Sequence, residues 1–321
     1  MKRILIVTFI SLLCSCRRNE VEPINKNERR IALQNIGSFV IIGSFLDVEN
    51  SFLSLESYTK SYFVEPKETI RLLRLQEQWK KTTVAWKHAY PFIFHPLDED
   101  NLTNDIFSIP DINAIELAIN QTQVLIDSSY ISRAPSNTRG LLAMEYLIFG
   151  NTGSSTEDVM NSFNSSNGPR RLAYLEAIIK NLTGPSGSLI YFWSNGGDGY
   201  VTEFVNSDGN DSKSSLAILM KQIIRSISRI KTDRIGGLLE WSNHGMHQPN
   251  IIEGKFSKYS LRLIEAELKG VESAFSGYGS IDPSAIGINY LLNFVQAKYE
   301  DKLLQQEVLD QFKEIYFLID D

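Results

Sequence analysis

Glu145 is the residue in this sequence most suited to chemistry, because it is the one charged side chain in the apolar run 140–150. Turn-forming residues at 135–137 precede this run and Gly150 ends it, which predicts a short and almost wholly buried helix. An isolated buried carboxylate is costly, so Glu145 must find a partner, bind a cation or take up a proton. A purely structural pairing with an arginine or a backbone group of another helix is the alternative.

A second group of candidate ligands is Glu240, His244 and His247. If residues 240–247 formed one helix, these three side chains would share a face and resemble a metal-ligand set. Gly245 and Pro249 favour a solvated polar loop instead, so both interpretations stay open.

The elements that must position these residues are helices. Apolar residues recur at helical spacing along most of the chain, as in the stripe Trp79, Trp86 and Tyr90, and no stretch alternates convincingly as several strands would. We therefore predict an all-α fold of two packed helical bundles, residues 29–150 and 170–321. The Ser-, Asn- and Gly-rich residues 151–169 are the predicted linker, and residues 183–187 a predicted loop.

The N-terminus resembles a bacterial lipoprotein signal. A basic start is followed by a short apolar segment that ends in Leu13-Cys14-Ser15-Cys16. This pattern predicts a signal within residues 1–16, a lipid on Cys16 and a tether over 17–28; an ordinary secretory signal is the alternative. We expect a lipid-anchored protein of the bacterial cell envelope, on the outer membrane and facing the periplasm or the surface.

Composition excludes several classes of function. The formal net charge of −6 and the absence of a basic stripe argue against a nucleic-acid partner. Both cysteines lie at positions 14 and 16, so the folded part has no disulfide, cysteine metal site or cysteine nucleophile.

Five segments stand out together by their order and spacing more than any one of them does. They are residues 109–111, 139–145, 234–237, 253–261 and 268–271. Together they resemble the imelysin family, over about residues 30–320.

The resemblance implies an all-helical protein of two halves with a site between them. The family signature is Gly-x-His-x-x-Glu, proposed as a metal or catalytic motif, and the family has been linked both to peptidase activity and to bacterial iron uptake. Here Gly140 and Glu145 match the signature, whereas Leu142 stands at the histidine position. A catalytic zinc normally needs about three protein ligands, so this substitution weighs against an enzyme.

Asp111, Ser257 and Ser260 lie near the site by the same resemblance, although their simplest role is to cap helices.

The first functional hypothesis is a lipid-anchored binding protein for iron or another metal, with a cleft around Glu145. The alternatives are a metal-dependent peptidase with a reorganised site and a non-catalytic scaffold. The expected cofactor is iron or zinc, if any, and the expected partners are the membrane and a metal ion or an envelope protein. The candidate ligand- or metal-binding residues are Glu145, Asp111, Glu240, His244, His247, Ser257 and Ser260.

Overall fold

A computed structural model describes residues 24–94, 97, 99–236, 252–278 and 286–320. The fold is all-α, as predicted, with one exception among the described residues. That exception is a two-stranded antiparallel hairpin in which Lys298 pairs with Leu303 and Tyr299 with Lys302.

The first half of the chain contains eight α-helices and one π-helical segment, Ile36–Ile41, among the described residues. Short 3₁₀ turns at Tyr90–Phe92 and Ser136–Thr138 connect some of them. The α-helices are α1 (Lys26–Asn35), α2 (Ile42–Val64), α3 (Thr69–Ala89), α4 (Glu99–Phe107), α5 (Ile112–Asn120), α6 (Ser128–Arg133), α7 (Leu141–Phe149) and α8 (Thr156–Asn164).

The second half begins with one long helix and continues with shorter ones. A second π-helical segment, Ile230–Gly236, extends one of them, and β1 (Lys298–Tyr299) and β2 (Lys302–Leu303) precede the last. The described helices are α9 (Gly168–Trp193), α10 (Tyr200–Asn206), α11 (Ser215–Arg229), α12 (Ser260–Ser276), α13 (Ile288–Phe294) and α14 (Leu304–Asp320).

The helix that runs without interruption from α1 through the first π-helical segment to α2 is long and apolar enough to cross a membrane, by length and composition alone. In the folded protein, 61% of its most apolar window is buried. Phe45 and Phe52 lie in the main hydrophobic cluster, and Phe45 packs against Trp193 of α9 with the ring centroids 6.0 Å apart. This burial makes the segment a core helix of the described structure.

Residues 156–164 form a helix inside the segment predicted to be a linker. Ser155 and Asp158 make reciprocal capping hydrogen bonds at its start, which satisfy exposed backbone donors. Val159, Met160 and Phe163 follow at helical spacing and are buried. The division of the chain into two bundles stays a prediction, and the largest buried cluster contains residues from both of them.

Residues 183–187 are helical, so the loop predicted there was wrong. Pro185 lies inside α9, although proline removes one backbone hydrogen bond of a helix. Leu182, Leu189 and Trp193 are buried on either side of it. Their burial outweighs the local cost of the proline.

Gly140 lets the motif helix α7 start against α4. Its φ of +90° is a conformation that side-chain-bearing residues rarely adopt. A Cβ atom at this position would also lie 2.7 Å from the carbonyl oxygen of Ile106. Next to it, Arg139 forms a 2.7 Å ion pair with Asp105, so α4 is held against the start of α7.

Gly140→Ala should lower the free energy of unfolding by about 2–4 kcal/mol, because backbone strain and a clash with the carbonyl of Ile106 add up. Gly153→Ala is the matched control, since Gly153 has a φ of +91° but nothing within 4 Å of an added Cβ. Its cost should be about 1 kcal/mol, from strain alone. Urea unfolding of both variants measures the difference, and equal costs would show that the contact with Ile106 is unimportant.

Candidate functional site

Glu145 is buried in α7, with 1% of its surface exposed, and its partner comes from a distant part of the chain. The backbone N–H of Ser257 donates to Oε1 of Glu145 at 2.8 Å, and the Ser257 hydroxyl donates to the same oxygen at 2.7 Å. The structure thus brings together two of the residues selected from the sequence. The contacts are those of a structural pairing with a backbone group and a hydroxyl.

Burial raises the pKa of Glu145 to about 7, while the hydrogen bonds from Ser257 oppose this shift. The carboxyl group is therefore divided between its charged and neutral forms near neutral pH. The sequence required Glu145 to find a partner, bind a cation or take up a proton. The structure supports the first, through Ser257, and a partial form of the third.

The segment that holds Ser257 is a compact turn before α12. Gly254 has a φ of +69°, its carbonyl accepts from the backbone N–H of Tyr259 at 2.9 Å, and the Ser260 hydroxyl donates to the carbonyl of Glu253 at 2.6 Å. Glu145 therefore anchors a hydrogen-bonded turn, and that turn also carries Glu253.

Lys87 is a buried lysine on α3 and pairs with Glu253. Its Nζ lies 2.8 Å from Oε2 of Glu253 and 4.2 Å from the centre of the Phe107 ring. Burial, with a further contribution from the nearby charge of Arg234, lowers the pKa of Lys87 to about 8. Breaking such a pair leaves an uncompensated buried charge, which is strongly destabilising.

Arg234 extends this pair into a longer network. Its Nε lies 3.4 Å from Glu253, and its guanidinium also binds Glu267, which is fully buried on α12. The Ser226 hydroxyl of α11 donates to the other oxygen of Glu267 at 2.5 Å. Burial alone would raise the pKa of Glu253, but the charges of Lys87 and Arg234 outweigh burial and hold that pKa below its usual value.

Gly270 allows α3 and α12 to approach closely enough for this network. A Cβ atom at position 270 would lie 2.0 Å from the carbonyl oxygen of His88. His88 follows Lys87 on α3, and Gly270 lies three residues after Glu267 on α12. The close backbone contact therefore lies beside the charged side chains that it brings together.

A polar cavity of about 340 Å³ lies at the edge of the network. It is lined by one face of α4, the end of α11, the second π-helical segment and the turn before α12. The lining residues are Tyr90, Thr103, Asn104, Ile109, Arg229, Asp233, Arg234 and Glu253.

The other candidate residues have mainly local roles in the described structure. Asp111 is the N-cap of α5, and its side chain accepts from the backbone N–H of Ala114 at 3.0 Å. Ser260 is the first residue of α12 and binds the carbonyl of Glu253. Glu240, His244 and His247 lie outside the described residues, so their grouping stays a prediction.

The position of the motif histidine is occupied by a core residue. Leu142 is 1% exposed and belongs to the main hydrophobic cluster, so no ligand atom is available one turn before Glu145. Within the described part of the chain, no group of three or more His, Cys, Asp or Glu side chains is arranged to hold a metal ion.

The sequence matches the Imelysin family model, which also carries the name peptidase M75, over residues 46–319. The chain belongs to the imelysin family. No curated protein matches it with statistical significance.

Two solved structures share the imelysin-like fold. A protein described as an iron-regulated protein A precursor, from Parabacteroides distasonis, has a TM-score of 0.64 and 17% identity, over 84% of this chain and 80% of that one. An imelysin-like protein from Psychrobacter arcticum has a TM-score of 0.64 and 16% identity, over 94% of this chain and 96% of that one. At this identity the likeness shows the fold alone.

Sequence reasoning did not select Lys87, which the structure places at one end of the charged network. A usable pattern was present, because Lys87 lies eight residues after Trp79 and three before Tyr90 on the predicted apolar stripe. A lysine at a core-facing helical position requires a carboxylate partner. Its partner Glu253 could not be identified from spacing.

The contribution of Glu145 to stability should fall as the pH rises from about 4.5 to 7, because the folded protein binds the proton of Glu145 more tightly than the unfolded chain does. Buried His88, whose pKa is lowered to about 4, contributes in the opposite direction, so the slope is measured as the difference between the wild type and a Glu145 variant. The shift at Glu145 corresponds to about 3 kcal/mol. Glu145→Gln should remove this contribution, so that the variant gains stability relative to the wild type at pH 8 but not at pH 4.

Urea unfolding across this pH range measures the effect. Glu116→Gln is the control, because Glu116 is a carboxylate that binds Tyr146 and Arg171 instead. Parallel pH profiles of the wild type and Glu145→Gln would contradict the assignment.

Proposed function

We propose that this imelysin-family protein is a lipid-anchored, non-catalytic binding protein of the bacterial cell envelope that serves the acquisition of iron or another metal. The polar cavity bounded by Tyr90, Arg229, Arg234 and Glu253 is the observation that supports binding most directly. Its volume of about 340 Å³ lies within the range of small-molecule sites. Glu145, around which the sequence predicted a cleft, holds the turn that forms one wall.

A binding role is favoured over catalysis by the state of the motif residues. A catalytic metal needs an open coordination position and about three protein ligands. Leu142 offers no ligand atom, and one oxygen of Glu145 is already bound twice by Ser257. The peptidase name of the family supports the second candidate, a metal-dependent peptidase with a reorganised site.

The link to iron is supported by the description of a solved structure with the same fold. The structure from Parabacteroides distasonis is described as an iron-regulated protein, and this chain shares its fold. The anchor is supported by the sequence around Cys16 and by the polar residues 17–20, which suit a tether.

Binding without turnover is the first expectation. A panel of soluble iron complexes should contain at least one that raises the melting temperature saturably, as a ligand of the folded state does. Asn104→Trp should abolish the shift by filling the cavity, whereas Asn113→Trp, at an exposed position of α5 that does not line the cavity, should not. Chelator-sensitive cleavage of a peptide library, lost in Glu145→Gln, would instead support the peptidase.

Lipid attachment is tested by substituting the two cysteines separately. In a bacterial host, Cys16→Ser should abolish labelling with a fatty-acid analogue and move the protein out of the membrane fraction, because Cys16 is the expected lipid-bearing residue. Cys14→Ser, two residues away, is the matched control and should be labelled like the wild type. Equal labelling of both variants would contradict the anchor.

A further inference from the structure

A second cavity, of about 410 Å³, lies among α5, α6, α9 and the segment 134–138. It shares no lining residue with the polar cavity at Arg234, and its volume lies within the range of small-molecule sites. Small side chains account for much of the open space, because larger ones at the same positions would fill it. They are Ala114, Ala118, Ala134 and Pro135.

Two tyrosines give this cavity an aromatic wall. Tyr174 is 1% exposed, and its hydroxyl donates to the carbonyl of Thr138 at 2.8 Å. Burial raises the pKa of Tyr174 to about 12, with a smaller contribution from Tyr130 beside it, so the two phenol groups are neighbours. Aromatic rings pack favourably against a further ring in offset or edge-to-face contact. The wall therefore suits a ligand with an aromatic body.

Arg133 supplies a positive charge at the same cavity. It is the last residue of α6 and the one charged side chain among the described residues that line the cavity. Within the described part of the chain, its guanidinium has neither an ion pair nor a hydrogen bond, and the hydroxyl of Tyr130 has no partner either. Donors for an anionic group are therefore available beside the aromatic wall.

The acidic side chains of the surrounding elements are engaged elsewhere. Asp111 and Asp127 accept from backbone N–H groups at the starts of α5 and α6. Glu116 of α5 pairs with an arginine of α9 at 2.5 Å, and Glu176 of α9 pairs with a lysine one turn later. None of these four carboxylates lines the cavity, so a ligand would meet the charge of Arg133 without a competing carboxylate.

We propose that this cavity binds a small carboxylic acid with an aromatic body, its carboxylate on Arg133 and its ring against Tyr130 and Tyr174. The planar donor fork of arginine matches the two oxygens of a carboxylate. The hydroxyl of Tyr130 is available as a further donor. This site is separate from the polar cavity of the proposed function, so either can fail without the other.

An NMR titration of the full folded chain with naphthoate, its neutral analogue naphthamide and acetate tests the proposal. Naphthoate should bind saturably, and more weakly as the salt concentration rises. Naphthamide has the same ring without the charge, and its affinity should be about 10-fold lower, as expected for loss of a charge-assisted hydrogen bond. Acetate has the charge without the ring and should bind more weakly than naphthoate.

Two variants separate the charge from the space. Arg133→Gln should weaken naphthoate about 10-fold and leave naphthamide unchanged, a difference that a general structural effect would not produce. Arg74→Gln is its control, because Arg74 is exposed on α3 and does not line the cavity. Ala114→Leu should abolish binding of both compounds by filling the cavity, whereas Asn113→Leu, at the exposed neighbouring position of α5, should not.

A melting temperature like that of the wild type shows that each variant is folded, and Arg133→Gln keeps the proposal testable if Ala114→Leu does not fold. The proposal is overturned if naphthoate does not bind, or if its affinity is the same in Arg133→Gln and the wild type. Equal affinities for naphthoate and naphthamide would show that the site does not recognise a carboxylate. Naphthoate binding that persists in folded Ala114→Leu would place the ligand outside this cavity.

Discussion

A row of alternating charges, Lys87, Glu253, Arg234 and Glu267, is the interaction on which the rest of this structure depends. Each carboxylate in the row contacts at least one cation, and each cation contacts at least one carboxylate. The row joins α3, the turn before α12, the second π-helical segment and α12 itself. Charges buried at this depth are tolerated only when every partner is present, so these elements are held in one arrangement.

Glu145 has a supporting role in that arrangement. It binds both polar groups of Ser257, and Ser257 lies in the turn that carries Glu253. The motif glycine, Gly140, sets the start of α7 against α4, which brings one wall of the cavity into place. Gly140 and Glu145, the two residues that match the motif, therefore position walls of a cavity whose cationic side chains lie on other elements.

The motif residues and the cationic residues of the cavity lie on different elements. The fold can therefore persist although Leu142 stands at the histidine position of the family signature. Leu142 fills the core where an imidazole would need a polar partner. The polar cavity depends instead on Tyr90, Arg229 and Arg234, none of which belongs to the signature. Fold and chemistry can be carried by different residues of one scaffold.

The sequence by itself determined the all-α class, the buried stripe of Trp79 and Trp86 and the isolation of Glu145, because helical periodicity and buried charge are properties of neighbouring residues. The helix at 156–164 was also predictable in principle from its capping box. Tertiary structure alone decided that α9 continues through Pro185. The burial of Leu182, Leu189 and Trp193 outweighs the local cost of a proline inside the helix. It also decided that Lys87 meets Glu253 and that Glu145 meets Ser257. These pairs are far apart in sequence, and the packing of α3 against both α12 and α7 brings their segments together.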